Sequence, residues 1–182
     1  MKILPDAKAW RKAVHGIITF RYLNDAELDR LLGIAAIVQY ELDEVIVQEG
    51  EIEQQFFGIL EGTVAVSVHE NDGKDVFICS LGAGDVFGEA GFFMNIKRTA
   101  SVIALGKAVF IRLNRDDISA LIREEPAAGS KIFLTTIYGL LRKLRAANQE
   151  LAYERKVDMN QDDIDDLVSG LLSKGKDSPI KD

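Results

Sequence analysis

The sequence predicts a mainly β protein: an antiparallel β-roll or jelly-roll barrel with N-terminal helices before it and one long C-terminal helix after it. Three observations predict this. Between Val38 and Leu113, six or more short apolar stretches recur between glycine turns, as in a rolled or closed antiparallel sheet. Ahead of them, Leu28, Leu31, Leu32 and Ala35 recur at helical spacing. Behind them, Pro126 opens a stretch with three- and four-residue apolar steps and no internal proline until position 179.

The elements follow in chain order. Residues 6–15 form a short helix with Trp10, Ala13 and Val14 on its apolar face. Asn24 starts the second helix, because Glu27 three residues later completes a capping pattern. Strands are expected at Glu44–Gln48, ending at Gly50, and at Phe56–Leu60, followed by a turn at Gly62. Thr63 to Val68 alternates as a half-buried strand does, and Asn71-Asp72-Gly73 is a hairpin signal leading into Val76–Cys79. Further strands are expected at Ala100–Leu105 and Ala108–Leu113. Asn114 caps a helix over Asp116–Arg123. The last helix runs from Pro126 to about Val157, and in it Leu134, Ile137, Leu141, Leu144, Asn148 and Leu151 form a heptad seam. An asparagine at an a position fixes register and favours two strands, so residues 134–151 are expected to form a homodimer. The domain division is then 1–23 for the N-terminal helical segment, 24–157 for the body with its long helix, and 158–182 for an acidic, flexible tail.

Composition narrows the function. The chain has 182 residues, 47% of them hydrophobic, and a net charge of −7. Residues 158–182 carry seven aspartates and three lysines, a net of −4. Such a surface is a poor match for nucleic acid. Leu31 to Val38 is the longest largely apolar stretch, too short to span a bilayer, and the first residues lack a secretory pattern. Cys79 is the only cysteine, so no intrachain disulfide forms; a packed core thiol in the cytoplasm is expected. His15 and His69 have no metal-binding spacing. Asp158, Asn160, Asp162 and Asp166 resemble the start of a calcium loop, but Asp163 and Ser169 stand where glycine and glutamate are required. Gly82-Ala83-Gly84 with Gly88 lacks dinucleotide-loop spacing and a βαβ unit. No metal, no nucleophile–base grouping and no enzyme activity are expected.

Residues 82–100 interrupt the strand pattern with glycines, one acid and one arginine in apolar surroundings. Gly88 permits close backbone approach to a ligand. Residues 89–93 can form one helical turn whose amides face an anion. Arg98 supplies a full charge and a planar fork for phosphate oxygens. Glu89, an acceptor-only carboxylate, suits a sugar hydroxyl.

Phe87-Gly88-Glu89, a small and apolar stretch, then Arg98-Thr99-Ala100 resembles the phosphate-binding cassette of the cyclic nucleotide-binding domain family. That family includes bacterial catabolite activator proteins and the regulatory subunits of cyclic-AMP-dependent protein kinase. The resemblance extends through the Gly50 turn, Phe57 to Gly62 and Asp72-Gly73-Lys74, covering roughly residues 24–157. It implies that Glu89 holds the ribose 2′-hydroxyl and Arg98 neutralises the cyclic phosphate. Gly88 and Ala90 would offer amides, and Thr99 a hydroxyl beside the phosphate. Val66 and the strand from Ile78 to Leu81 would line the base pocket. From the long helix Lys143, Ala147 or Asn148 would reach the purine edge. Two departures matter: no helix-turn-helix domain is expected in 158–182, and Ala90-Gly91-Phe92-Phe93 is bulkier than many cassettes, which would alter the pocket wall. The expected function is a stand-alone cyclic nucleotide receptor, cyclic AMP favoured over cyclic GMP, that moves its C-terminal helix on binding and acts on an unknown protein partner. The alternative is a degenerate, non-binding dimeric interaction module of the same fold.

Overall fold

The computed structural model describes residues 1–69, 73–94 and 96–173. Its chain divides into two compact units, Met1–Ile137 and Tyr138 onward, so the division falls inside the last helix. In the first unit two antiparallel sheets face each other. One has strand order β1 (Lys2–Leu4), β2 (Ala36–Tyr40), β9 (Ala108–Asn114), β4 (Gln55–Glu61), β7 (Val86–Phe87). The other runs β3 (Val45–Val47), β8 (Ser101–Ala104), β5 (Thr63–His69), β6 (Asp75–Gly82). The fold is thus the mainly β roll with flanking helices that the pattern predicts.

The central strands of the first sheet are buried on both faces. Alternate side chains point to opposite sides of a strand, and here each side meets apolar partners. Phe57, Ile59 and Phe110 face the second sheet in one core. Phe56, Leu60, Val109, Ile111 and Leu113 face the helices in another. Within the first core Phe57 stacks on Phe87 at 5.0 Å, and Phe110 meets both rings edge-on at 6.3 and 5.7 Å.

Three strands extend the sequence reading. β1 has three residues and β7 two, too few for periodicity to register. β2 follows α2 (Asp25–Ile34) with only Ala35 between, and no glycine or proline separates helix from strand. The expected helix over 6–15 is a 3-10 turn (Ala7–Trp10) followed by α1 (Arg11–Gly16). Asn71 and Asp72 of the expected hairpin turn lie outside the described residues; the β5–β6 hairpin itself pairs His69 with Asp75. Cys79 corrects an expectation: β6 is an edge strand and its thiol is exposed, not packed in the core.

α4 (Arg115–Glu124) and α5 (Pro126–Ser173) complete the chain; α5 runs past the expected end at Val157. Of the expected tail, 174–182 lie outside the described residues. The root of α5 is tied to the N-terminal helices. Glu27, 6% exposed, closes the capping box with Asn24 and accepts hydrogen bonds from Lys131 Nζ at 2.7 and 2.9 Å. Thr135 Oγ1 donates to Thr19 O at 2.9 Å.

The Lys131 ammonium, then the Asn24 amide, hold the Glu27 carboxyl below its ordinary range against the opposing effect of burial. The folded state therefore favours the ionised form. This stabilisation is full above the unfolded glutamate pKa of about 4.3 and is lost as pH falls through the lower folded value. Lys131→Met is expected to cost about 1–3 kcal/mol at neutral pH by urea unfolding, and Glu27→Gln to flatten the acid limb of the stability profile.

Candidate functional site

The cassette is clamped at both ends. At its start, Phe87 pairs with Phe57 across β4 and β7 and stacks on the same ring. At its end, the Arg98 amide donates to Glu51 O at 2.8 Å and Arg98 O accepts from Gly50 N at 2.9 Å. Between these points the chain turns at Gly88, φ +84°, and forms α3 (Glu89–Met94). The Phe92 amide closes the first helical bond to Gly88 O at 3.1 Å. Phe92 turns into the helix-side core, its ring 5.9 Å from that of Phe56. The bulk expected in the pocket wall at this residue is therefore spent on anchoring α3.

Arg98 is 5% exposed. Its Nη1 donates to Gly88 O at 3.0 Å and its Nη2 to Gln55 O at 2.8 Å. Nε is buried and has no hydrogen-bond partner among the described residues, a donor open to an acceptor from outside the chain. A Cβ at Gly88 or Gly91 would each meet Nη1 at 2.9 Å, so two glycines make room for the guanidinium. Burial pushes the Arg98 guanidinium down, while the carboxylates of Glu53 and Glu89 push it back up. Glu53 Oε2 stands 4.0 Å from Nη2.

The structure brings together some of the predicted site residues and not others. Gly88, Glu89 and Arg98 come together, with Glu89 buried at the first position of α3. Ala90 and Thr99 are exposed beside them. Val66 and Leu81 are half-buried against the inter-sheet core on neighbouring strands. Pairing passes from Val66–Cys79 to Ser67–Phe77, leaving Ile78 as the extra residue of a bulge, 52% exposed. Asn148 is exposed on α5 in the second unit.

Sequence reasoning missed Glu53 and the Gln55 carbonyl. The alternation Glu49-Gly50-Glu51-Ile52-Glu53 was the available signal, acids crowded ahead of a strand that must meet the cassette. Among the described residues no group of three or more His, Cys, Asp or Glu could hold a metal, and no helix is long and apolar enough to cross a membrane.

Comparison with known proteins bears on this geometry. Residues 37–125 match the family model of the cyclic nucleotide-binding domain. The chain is similar to the crystal structure of such a domain from Methylobacillus flagellatus, with TM-score 0.77 and 23% identity over 82% of this chain and 86% of that one. It is also similar to the catabolite activator protein of Thermus thermophilus, with TM-score 0.64 and 28% identity over 74% and 61% of the two chains. A Rhodopseudomonas palustris protein named "Putative potassium channel protein" is 29% identical over 114 residues, 62% of this chain. The chain spans 27% of the length of that relative.

Proposed function

We propose that this chain, in which residues 37–125 are a cyclic nucleotide-binding domain, receives a cyclic nucleotide through Arg98 and Glu89 and answers by moving α5. The observation that carries the reading is Arg98: a buried guanidinium, held between two glycines, whose Nε has no partner among the described residues. Phosphate oxygens suit that donor, and charge-assisted bonds in a desolvated site are strong. Glu89 takes the ribose hydroxyl, and Gly88, Ala90 and Thr99 lie along the phosphate. Val66, Ile78 and Leu81 face the base. No bond is made or broken; the domain is regulatory. Cyclic AMP is preferred over cyclic GMP, by likeness to the bacterial relatives. Calorimetric titration with both nucleotides tests this. Binding at millimolar concentration or better supports it, and heat from neither ligand rejects it in favour of a non-binding interaction module.

The output is assigned to α5. Leu134, Ile137, Leu141, Leu144 and Leu151 are all more than half exposed, an apolar seam that a second copy covers in a parallel pair. Leu144→Asp is expected to turn a dimer into a monomer by sedimentation. A wild-type chain that sediments as a monomer at all concentrations rejects the pairing.

A further inference from the structure

We infer that Glu53 is a resident counter-anion of Arg98, a carboxylate that competes with the ligand's phosphate and thereby sets the affinity of the site; this rests on reading Arg98 as the phosphate-binding group. The segment from Gly50 to Gln55 is sewn to Arg98 by main-chain bonds at Gly50 and Glu51 and by the Nη2 bond to Gln55 O. Glu53 sits inside that seam, and its main chain lies against α3, its carbonyl 2.9 Å from where a Cβ at Gly91 would stand. Its carboxylate reaches the guanidinium from the solvent side, with 41% of the side chain exposed.

At 4.0 Å from Nη2, Glu53 is a loose partner. It offsets part of the charge of a buried cation but makes no short bond to it. An exposed carboxylate in such a pair contributes little and is easily displaced. A phosphate arriving at the same guanidinium changes its sign of action. The carboxylate then lies beside a second anion in a partly desolvated site, where like charges repel strongly. Glu53 therefore weakens the bound state more than it strengthens the free one. A purely structural role for Glu53 predicts the opposite, since loosening the 50–55 segment would misplace Arg98.

The experiment titrates cyclic AMP, inorganic phosphate and adenosine into the full chain and into Glu53→Gln at low salt. Cyclic AMP and adenosine are followed by calorimetry, and phosphate by the Arg98 Nε–H resonance. Glu53→Gln is expected to bind both anions about 3–10-fold tighter, whereas adenosine, without a phosphate, does not distinguish the two proteins. Equal or weaker anion binding by Glu53→Gln overturns the inference, as does an adenosine change as large as that for cyclic AMP. If cyclic AMP binds neither protein but phosphate binds Glu53→Gln tighter, the receptor reading fails and the counter-anion stands. If no anion binds either protein, both fall.

Discussion

Arg98→Lys is expected to weaken cyclic nucleotide binding by about a hundredfold, roughly 2.7 kcal/mol. Lysine keeps the charge, so the loss measures geometry rather than electrostatics. The guanidinium reaches Gly88 O with one nitrogen and Gln55 O with another, and Nε has no partner among the described residues. An ammonium is a single point on a flexible stem and cannot span two carbonyls while presenting a third donor. It would satisfy one carbonyl and lose the phosphate, or take the phosphate and abandon both. Arg98→Ala adds a stability cost of about 2 kcal/mol, because carbonyls inside the protein lose a charged donor. Calorimetry and urea unfolding on the same samples separate the two effects. Unchanged affinity in either variant would show that the ligand phosphate does not rest on Arg98.

The second large effect is expected at Gly88. Alanine there should lower stability by about 3 kcal/mol and abolish measurable nucleotide binding. The backbone at φ +84° already disfavours a side chain by about 1–2 kcal/mol. The added Cβ would also stand 2.7 Å from Gln55 O and 2.9 Å from Arg98 Nη1. One neighbour is main chain of a central strand, and the other is the group that meets the phosphate. Gly84 is the control: its φ is +95°, yet nothing lies within 4 Å of its Cβ position. Gly84→Ala should show the backbone strain alone, so the difference between the two variants isolates the collision.

Legibility in the sequence followed physical locality. The Asn24 cap was readable because its capping box lies within four residues, and the structure forms both bonds. The cassette was readable because Gly88, Glu89 and Arg98 sit in one short segment, held by a glycine turn whose conformation the residue itself announces. β4 and β9 were found as apolar runs, though their near-continuous burial comes from having a core on each face. What remained hidden depended on distant partners. Lys131 and Glu27 are 104 residues apart, and the capping role that Glu27 announces gives no sign of a lysine partner. Glu53 meets Arg98 only because the 50–51 segment exchanges main-chain bonds with the end of the cassette. Cys79 misled for a related reason. An apolar stretch reads as core, but the strand order leaves β6 at a sheet edge.

The order of the first sheet has a further consequence, for the time course of synthesis. β2 takes β9 as its neighbour, with Ala36 opposite Arg112 and Tyr40 opposite Ala108, and β9 also lies between β2 and β4. No shorter nascent chain can complete that sheet: until β9 leaves the ribosome, the β1–β2 pair and the β4–β7 pair have no central strand to join them. At about 5–20 residues per second this leaves the two-faced apolar strand β4 without its longer partner β9 for several seconds. Folding that waits on such distant pairings is slow. The hairpin of β5 and β6, by contrast, can close as soon as it emerges. Phe77 and Ile78 of that hairpin stay 61% and 52% exposed in the finished fold, so its closure waits on no distant core.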